Sequence, residues 1–148
     1  MKTKQVKVKK YAAWLSAETM HNSSIKWLSE LRFAKDEQLF FDDLVKSYTL
    51  QLIDSKYFTK SKKIIEQLGK QQKETEELIE TIINHEKELK IMVDGINQLK
   101  EEKAYKDKHR KLIIKVSRFL ENYRTLKSQL FALIKSIIKE GKQKRLLR

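Results

Sequence analysis

At 148 residues the chain has a single-domain length, and it contains no cysteine, no proline and only three glycines. The absence of cysteine excludes disulfides and thiolate metal sites, and the scarcity of glycine and proline disfavours sheets joined by tight turns. Charged residues make up 36% of the chain, a proportion typical of long helices and coiled coils. The net charge of +13 suggests an anionic partner, but basic and acidic blocks alternate along the chain and can neutralise one another within a bundle, so the net charge overstates the surface available to a polyanion.

Residues 1–15 form a basic N-terminal tail with five lysines and no acidic residue. No apolar run is long enough for a signal peptide or a membrane span, so we expect a cytoplasmic protein. The segment KVKKYAAW could bind nucleic acid, since bases stack on aromatic rings while lysines contact phosphates. The favoured alternative is that Trp14 and Leu15 fasten the tail onto the helices that follow. The candidate polyanion-binding residues of this tail are Lys2, Lys4, Lys7, Lys9, Lys10, Tyr11 and Trp14.

The first helix is predicted from about Ala17 to about Asp54. Ser16 can cap its first turn, and Glu18 suits the positive end of the helix dipole. Apolar residues then recur at helical spacing, which predicts one buried row with a second row beside it. The first row comprises Trp27, Leu31, Ala34, Phe41, Val45, Tyr48 and Leu52, and the second comprises Ile25, Phe33, Phe40, Leu44 and Tyr48.

Within this helix the segment FAKDEQLFFDDL, residues 33–44, places four carboxylates among aromatic residues. On a helix these carboxylates spread around the axis instead of converging on one point. We therefore interpret them as an acidic, solvated part of the helix, with Lys35, Lys46 and the basic third helix as sufficient partners. The four are Asp36, Glu37, Asp42 and Asp43.

A turn is predicted between Asp54 and Ser61, and the second helix follows with a heptad-like apolar row. Gln72, Thr75 and Glu86 interrupt this row. We interpret these three residues as a polar seam that could set the register of the helices or mark a face for a partner helix. If Glu86 is buried it needs a cation, and lysines or arginines of the third helix are the expected donors. The apolar members of the row are Ile65, Leu68, Ile79, Ile82, Leu89, Val93 and Ile96.

The third helix has the most apolar face of the chain, and Gly141 is its predicted end. The turn before it is predicted within residues 100–109, with Asp94-Gly95 as the second-ranked position. Residues 142–148 then form a basic C-terminal tail. The apolar row of the third helix comprises Leu112, Val116, Phe119, Tyr123, Leu126, Leu130, Leu133 and Ile137.

These patterns predict an all-α fold, an elongated antiparallel up-down-up three-helix bundle of long helices over residues 16–141. A break near Gly69 would instead give a four-helix bundle. The topology gathers basic residues at two ends, around an acidic or mixed middle. The candidate polyanion-binding residues outside the N-terminal tail are Lys106, Lys108, Arg110 and Lys111 at one end, and Lys142, Lys144, Arg145 and Arg148 at the other, where Lys56, Lys60, Lys62 and Lys63 join them.

The sequence offers little for catalysis, and we predict a non-enzymatic protein with no cofactor and no metal. A dinuclear metal site in a bundle needs two Glu-x-x-His pairs, and only Glu18 and His21 are spaced in this way. We expect His21, His85 and His109 to be partly exposed helical residues. The chain also has no glycine-rich phosphate loop, and no nucleophile is paired with a base and an orienting group.

The leading functional hypothesis is a helical bundle that acts by binding another protein or by self-assembly. The alternative is a nucleic-acid-associated protein that binds the phosphate backbone through its two basic ends. Lysine outnumbers arginine, which suits diffuse contact with an anionic surface better than base recognition. We rank an anionic membrane surface below both, because no segment pairs a basic face with a bulky apolar face left free of the core. No small-molecule substrate is indicated.

Overall fold

The computed structural model describes residues 16–95 and 99–147. Within these ranges the chain forms three long helices, one single-turn helix and no strand, which confirms the all-α helical bundle. None of these helices has an apolar stretch long enough to cross a membrane, over the residues described. The elements are α1 (Ala17–Ser47), α2 (Thr49–Leu52), α3 (Phe58–Asp94) and α4 (Leu99–Leu146).

The described residues divide into two compact units. Unit 1 takes its residues from Met1–Phe33 and Glu77–Ser117, and unit 2 takes its residues from Ala34–Glu76 and Arg118–Arg148. Each unit therefore contains a segment of α1, a segment of α3 and a segment of α4.

In unit 2, contacts between the helices fix the direction of each one. Successive α1 residues meet α3 residues in descending order, so these two helices are antiparallel. They meet α4 residues in ascending order, so α1 and α4 are parallel, as an up-down-up bundle requires. The α1–α3 pairs are Lys35 with Glu76, Gln38 with Thr75, and Asp42 with Gln72, and the α1–α4 pairs are Ala34 with Tyr123, Glu37 with Lys127, and Phe41 with Phe131.

In unit 1, α3 and α4 are also antiparallel. His85 contacts His109, whereas Glu88, three residues further along α3, pairs with the earlier α4 residue Lys108. Three helices contribute to the unit's apolar core, which contains Met20 of α1, Leu89 of α3 and Tyr105 of α4, with Ala17 and Met92 packed against it.

The buried residues of α4 are those that the sequence predicted. All eight members of the predicted row are buried, from Leu112 to Ile137. Their alternating steps of four and three residues are the heptad spacing of coiled coils. The same spacing continues toward the helix start through His109 and Tyr105, which are also buried.

The second predicted row of α1 is wrong. Ile25, Phe33 and Phe40 are half or more exposed, whereas the first row supplies the buried residues Leu31, Ala34, Phe41 and Leu52. The physical reason is that polar residues complete the heptad spacing of the first row. The positions that the second row was expected to fill are taken by Ser24 and Gln38, both of which are buried.

Two of the predicted helix ends are also wrong. Residues 100–109 are helical, so the second turn does not lie there. α3 instead ends at Asp94, within the second-ranked position Asp94-Gly95. Tyr105 and His109 account for this, because their burial extends the core face of α4. The helix also runs through Gly141 to Leu146.

Gly69 does not break the second long helix, so the four-helix alternative is wrong on this point. α3 runs through Gly69 without interruption, and a Cβ at this position would meet nothing within 4 Å. The cost of one helical glycine, about 1 kcal/mol relative to alanine, is small beside the packing of a helix this long. The first helix, predicted to run to about Asp54, is interrupted at Tyr48. The first turn occupies residues 53–57 between α2 and α3, which overlaps the predicted range of Asp54 to Ser61.

Candidate functional site

A pocket of about 350 Å³ in unit 2 brings the C-terminal part of α4 together with the α1–α2 break and the turn that follows it. We call it the basic pocket, because four cationic and two anionic residues line it. This juxtaposition of Lys56 with the end of the third helix is the one that the predicted topology implied. The charged lining residues are Lys56, Lys142, Lys144, Arg145, Asp54 and Glu140, and the others are Tyr48, Gln51, Tyr57, Ile137, Ile138 and Gly141.

The turn after α2 positions Lys56 and Tyr57. The backbone amides of Tyr57 and Phe58 both donate to the carbonyl oxygen of Asp54, at 2.9 Å each. The Asp54 carboxylate also accepts a hydrogen bond of 3.0 Å from the amide of Lys56. An aspartate that bonds the backbone two residues further on is a common stabiliser of turns. Asp54 thus holds the segment that delivers both side chains to the basic pocket.

Glu140 connects this turn to α4. The Tyr57 hydroxyl donates a short hydrogen bond to Oε2 of Glu140, and the Nζ of Lys56 and the Nζ of Lys144 lie 3.3 and 3.7 Å from Oε1. The hydrogen bond from Tyr57 and then the two lysines lower the pKa of Glu140. The same hydrogen bond raises the pKa of Tyr57. Glu140 is therefore a charged acceptor that fixes two of the four cations of the basic pocket.

The other two cations, Lys142 and Arg145, make no ion pair within residues 16–95 and 99–147. Both side chains are exposed, and their charges also suit the negative end of the α4 dipole. Nearby in sequence, the segment that lines the pocket carries two exposed apolar side chains: Leu50 is 79% exposed and Ile53 is 59% exposed. This part of unit 2 thus presents free positive charge together with apolar surface.

The predicted basic residues of unit 1 are mostly neutralised by neighbouring carboxylates. Lys106, Lys108 and Arg110 lie 3.1, 3.4 and 2.8 Å from carboxylate oxygens. Lys111 is exposed and lines a pocket of about 460 Å³ with Lys108 and Lys115. The three carboxylates are those of Glu102, Glu88 and Asp107, respectively.

Eight of the predicted polyanion-binding residues lie outside the described part of the chain, so their predicted role stays a prediction. They are Lys2, Lys4, Lys7, Lys9, Lys10, Tyr11, Trp14 and Arg148.

Two members of the predicted polar seam connect α3 to α1 within unit 2. Thr75 is fully buried; its hydroxyl accepts a hydrogen bond of 2.9 Å from the Gln38 amide and donates one of 2.7 Å to the carbonyl of Gln71. Gln72 is half-buried, and its amide donates to the Asp42 carboxylate at 2.8 Å. These contacts fix the register of α1 against α3 in this unit.

The third member of the seam, Glu86, has a different partner from the one expected. Its Oε2 lies 2.6 Å from Nδ1 of His21 on α1, so the expectation of a lysine or arginine from the third helix is wrong. The side chain of Glu86 is largely covered, with Oε1 buried and without a hydrogen-bond partner among the described residues. Because α1 and α3 are antiparallel, His21 at the start of α1 is close enough to Glu86 to act as its partner.

The prediction of three partly exposed histidines is also wrong for two of them. His21 is half exposed, but His85 and His109 are only 3% and 1% exposed, with Nε2 of His85 3.0 Å from Nδ1 of His109. Burial lowers the pKa of His85, and burial and the neighbouring His85 lower the pKa of His109 to about 4. Heptad spacing was the signal that could have predicted the burial of each histidine, since His85 follows Ile82 by three residues and His109 precedes Leu112 by three.

The described residues contain no group of three or more histidine, aspartate or glutamate side chains arranged to hold a metal ion. Of the one Glu-x-x-His pair, His21 is engaged with Glu86. Comparison with known proteins gave no match to this chain, whether with family models, curated proteins or solved structures.

Proposed function

We propose that this protein is a non-enzymatic helical bundle that binds another protein through the basic pocket and the exposed apolar side chains of the segment that lines it. The observation that carries the proposal is the combination of Lys142 and Arg145, which no carboxylate of the described residues neutralises, with the exposed Leu50 and Ile53. The partner that fits this surface is a protein with acidic side chains around an apolar contact.

The chemistry of the surface supports a protein partner over a polyanion alone. Protein interfaces combine an apolar centre with a polar rim, and rim charges set the orientation and the rate of association. Leu50 and Ile53 can provide such a centre, and the cations of the basic pocket can provide part of its rim. A surface that bound phosphates alone would gain nothing from these two aliphatic side chains.

Site-specific photocrosslinking tests this proposal. A benzophenone amino acid at Leu50 is expected to give a discrete crosslinked product in cells of the source organism, because this side chain is exposed on the segment that lines the basic pocket. The matched control is the same substitution at Lys73, an exposed α3 position in the same unit. Mass spectrometry of the product identifies an acidic protein or a second copy of the chain.

The yields of crosslinked product from positions 50 and 73 decide whether the proposed surface is correct. Products of equal yield from positions 50 and 73, or no product from position 50, would contradict the proposed surface. A product that disappears on nuclease treatment would instead favour a nucleic acid.

Nucleic acid is the second candidate, favoured by the exposure of Lys142, Lys144 and Arg145 on the last turns of α4. If phosphate contacts dominate, labelled RNA or DNA binds with micromolar affinity that falls steeply between about 50 and 200 mM salt. Serine at these three positions then abolishes binding, whereas Leu50→Ser with Ile53→Ser leaves it unchanged. Both sets of substitutions weaken the binding of a protein partner. Fluorescence anisotropy at the two salt concentrations measures the nucleic-acid affinity, and flat titrations at low salt exclude this candidate.

A further inference from the structure

Four aromatic rings form a continuous row inside unit 1. Trp27 of α1 stacks on His109 of α4, and His85 of α3 stacks on Tyr105 of α4, with centroid distances of 5.0 and 4.0 Å. His109 and His85 meet edge to edge through their ring nitrogens, with a centroid distance of 5.2 Å and a tilt of 18°. The row therefore joins all three helical segments of this unit, with the two histidines at its centre.

The hydrogen bond between the two histidines depends on their charge. At 3.0 Å, one ring nitrogen donates its hydrogen and the other accepts it through a lone pair. When both rings are fully protonated, each of the two facing nitrogens carries a hydrogen, so no acceptor remains. Two positive charges would then lie in contact in a buried site, which is costly because little water reaches them.

Few charged groups around the pair can compensate for this cost. On α3, Glu86 and Glu88 face the pair, and Glu86 is already engaged by His21 of α1. On α4, Lys108 opposes protonation and pairs with Glu88 at 3.4 Å, and the cations Lys111 and Lys115 line the same pocket as His85. Tyr105 contributes a neutral ring, whose pKa is raised by burial, and Trp27 of α1 carries no charge.

We propose that the His85–His109 pair is a pH-sensitive latch of unit 1, which holds its three helical segments together at neutral pH and releases them on mild acidification. Unit 2 has no such latch, because all three histidines of the sequence lie in the ranges of unit 1. The inference is independent of the proposed function, since the basic pocket belongs to unit 2.

The direction follows from proton linkage. An unfolded histidine has a pKa of about 6.5, whereas that of His109 in the folded chain is about 4. Between these values the open form binds more protons than the closed form. The stabilisation is therefore complete above about pH 6.5 and is lost as the pH falls toward 4, and the opening equilibrium grows by up to about tenfold per pH unit for each such histidine.

Amide hydrogen exchange at pH 7 and pH 5 tests the latch, with protection factors corrected for the intrinsic rate at each pH. We expect protection in the α3 and α4 segments of unit 1 to fall by about tenfold or more at pH 5, and that of unit 2 to fall much less. The variant with His85→Gln and His109→Gln keeps a neutral hydrogen-bonding pair, so it should lose this difference between the units. His21→Gln is the matched control and should retain it.

A fall of equal size in both units, or an unchanged fall in the double variant, overturns the proposal. If the double variant does not fold, the ring signals of the natural chain give the answer by NMR. The latch requires the rings of His85 and His109 to stay neutral in the closed form at pH 5. Titration of both rings near pH 6.5 while unit 1 remains closed would exclude it.

Discussion

Replacing Phe41 with alanine is expected to lower the free energy of unfolding by about 3–5 kcal/mol, the usual cost of removing a buried phenylalanine side chain. Phe41 is only 1% exposed, and its ring contacts those of Tyr123 and Phe131 of α4, with centroid distances of 6.4 and 5.5 Å. Its neighbour Phe40 is 57% exposed and provides a control with the same chemistry. Urea denaturation followed by circular dichroism measures both changes.

The same substitution at Phe40 should cost less than about 1 kcal/mol, because an exposed ring loses little packing. The contrast between adjacent phenylalanines tests which row of α1 forms the core of unit 2. Equal losses of stability at the two positions would contradict the burial of the row that contains Phe41. A larger loss at Phe40 would mean that the row containing Phe40 forms the core.

Replacing Thr75 with valine is expected to destabilise the chain by about 1–3 kcal/mol, although the two side chains have nearly the same shape. The substitution removes the hydroxyl that accepts the hydrogen bond from Gln38 and leaves that buried amide without this acceptor. An unsatisfied buried donor costs more than the bond itself contributes. Urea denaturation again provides the measurement.

The partner substitution shows whether the loss comes from the amide. Gln38→Leu removes the donor, so Thr75→Val with Gln38→Leu should recover most of the stability, to within about 1 kcal/mol of the natural chain. A double variant as unstable as the sum of the two single changes would mean that the pair does not act as a unit.

Sequence spacing was sufficient for the core row of α4, which is wholly apolar. It was not sufficient for α3, where the predicted members Ile65 and Val93 are exposed and Ile64 and Leu78 are buried instead. In α4 every step of three or four residues from Leu112 to Ile137 falls on an apolar residue, and every predicted member is buried. In α1 the same spacing passes through Ser24 and Gln38. Because polar residues are discounted in a search for apolar periodicity, the exposed phenylalanines Phe33 and Phe40 were assigned to the core instead.

The prediction of the helix ends was wrong for a related reason. Residues 100–109 are rich in charge, and only the burial of Tyr105 and His109 shows that they continue the core face of α4. Histidine is compatible with either a surface or a core position, so its burial depends on what it faces. The sequence alone does not reveal that His85 faces His109, because that contact requires the register of α3 against α4.

The sequence predicted which basic residues lie near one another at the candidate site, but not which carboxylate pairs with them. Antiparallel topology is sufficient to expect Lys56 near Lys144 and Arg145. It does not identify Glu140 as the carboxylate that holds Lys56, Lys144 and the Tyr57 hydroxyl, because these contacts depend on the turn that Asp54 stabilises. The topology likewise does not show which cations of the basic pocket lack an ion pair among the described residues.

We propose that the cations of the basic pocket help to bind a protein at the surface around Leu50. The yield of the photocrosslink from position 50, when Lys142, Lys144 and Arg145 are changed together to serine, measures their contribution. We predict a loss of several-fold, and no comparable loss when three exposed α3 lysines of the same unit, Lys62, Lys70 and Lys73, are changed to serine. Equal yields from the natural chain and the Lys142–Lys144–Arg145 variant would show that these cations do not contribute to binding.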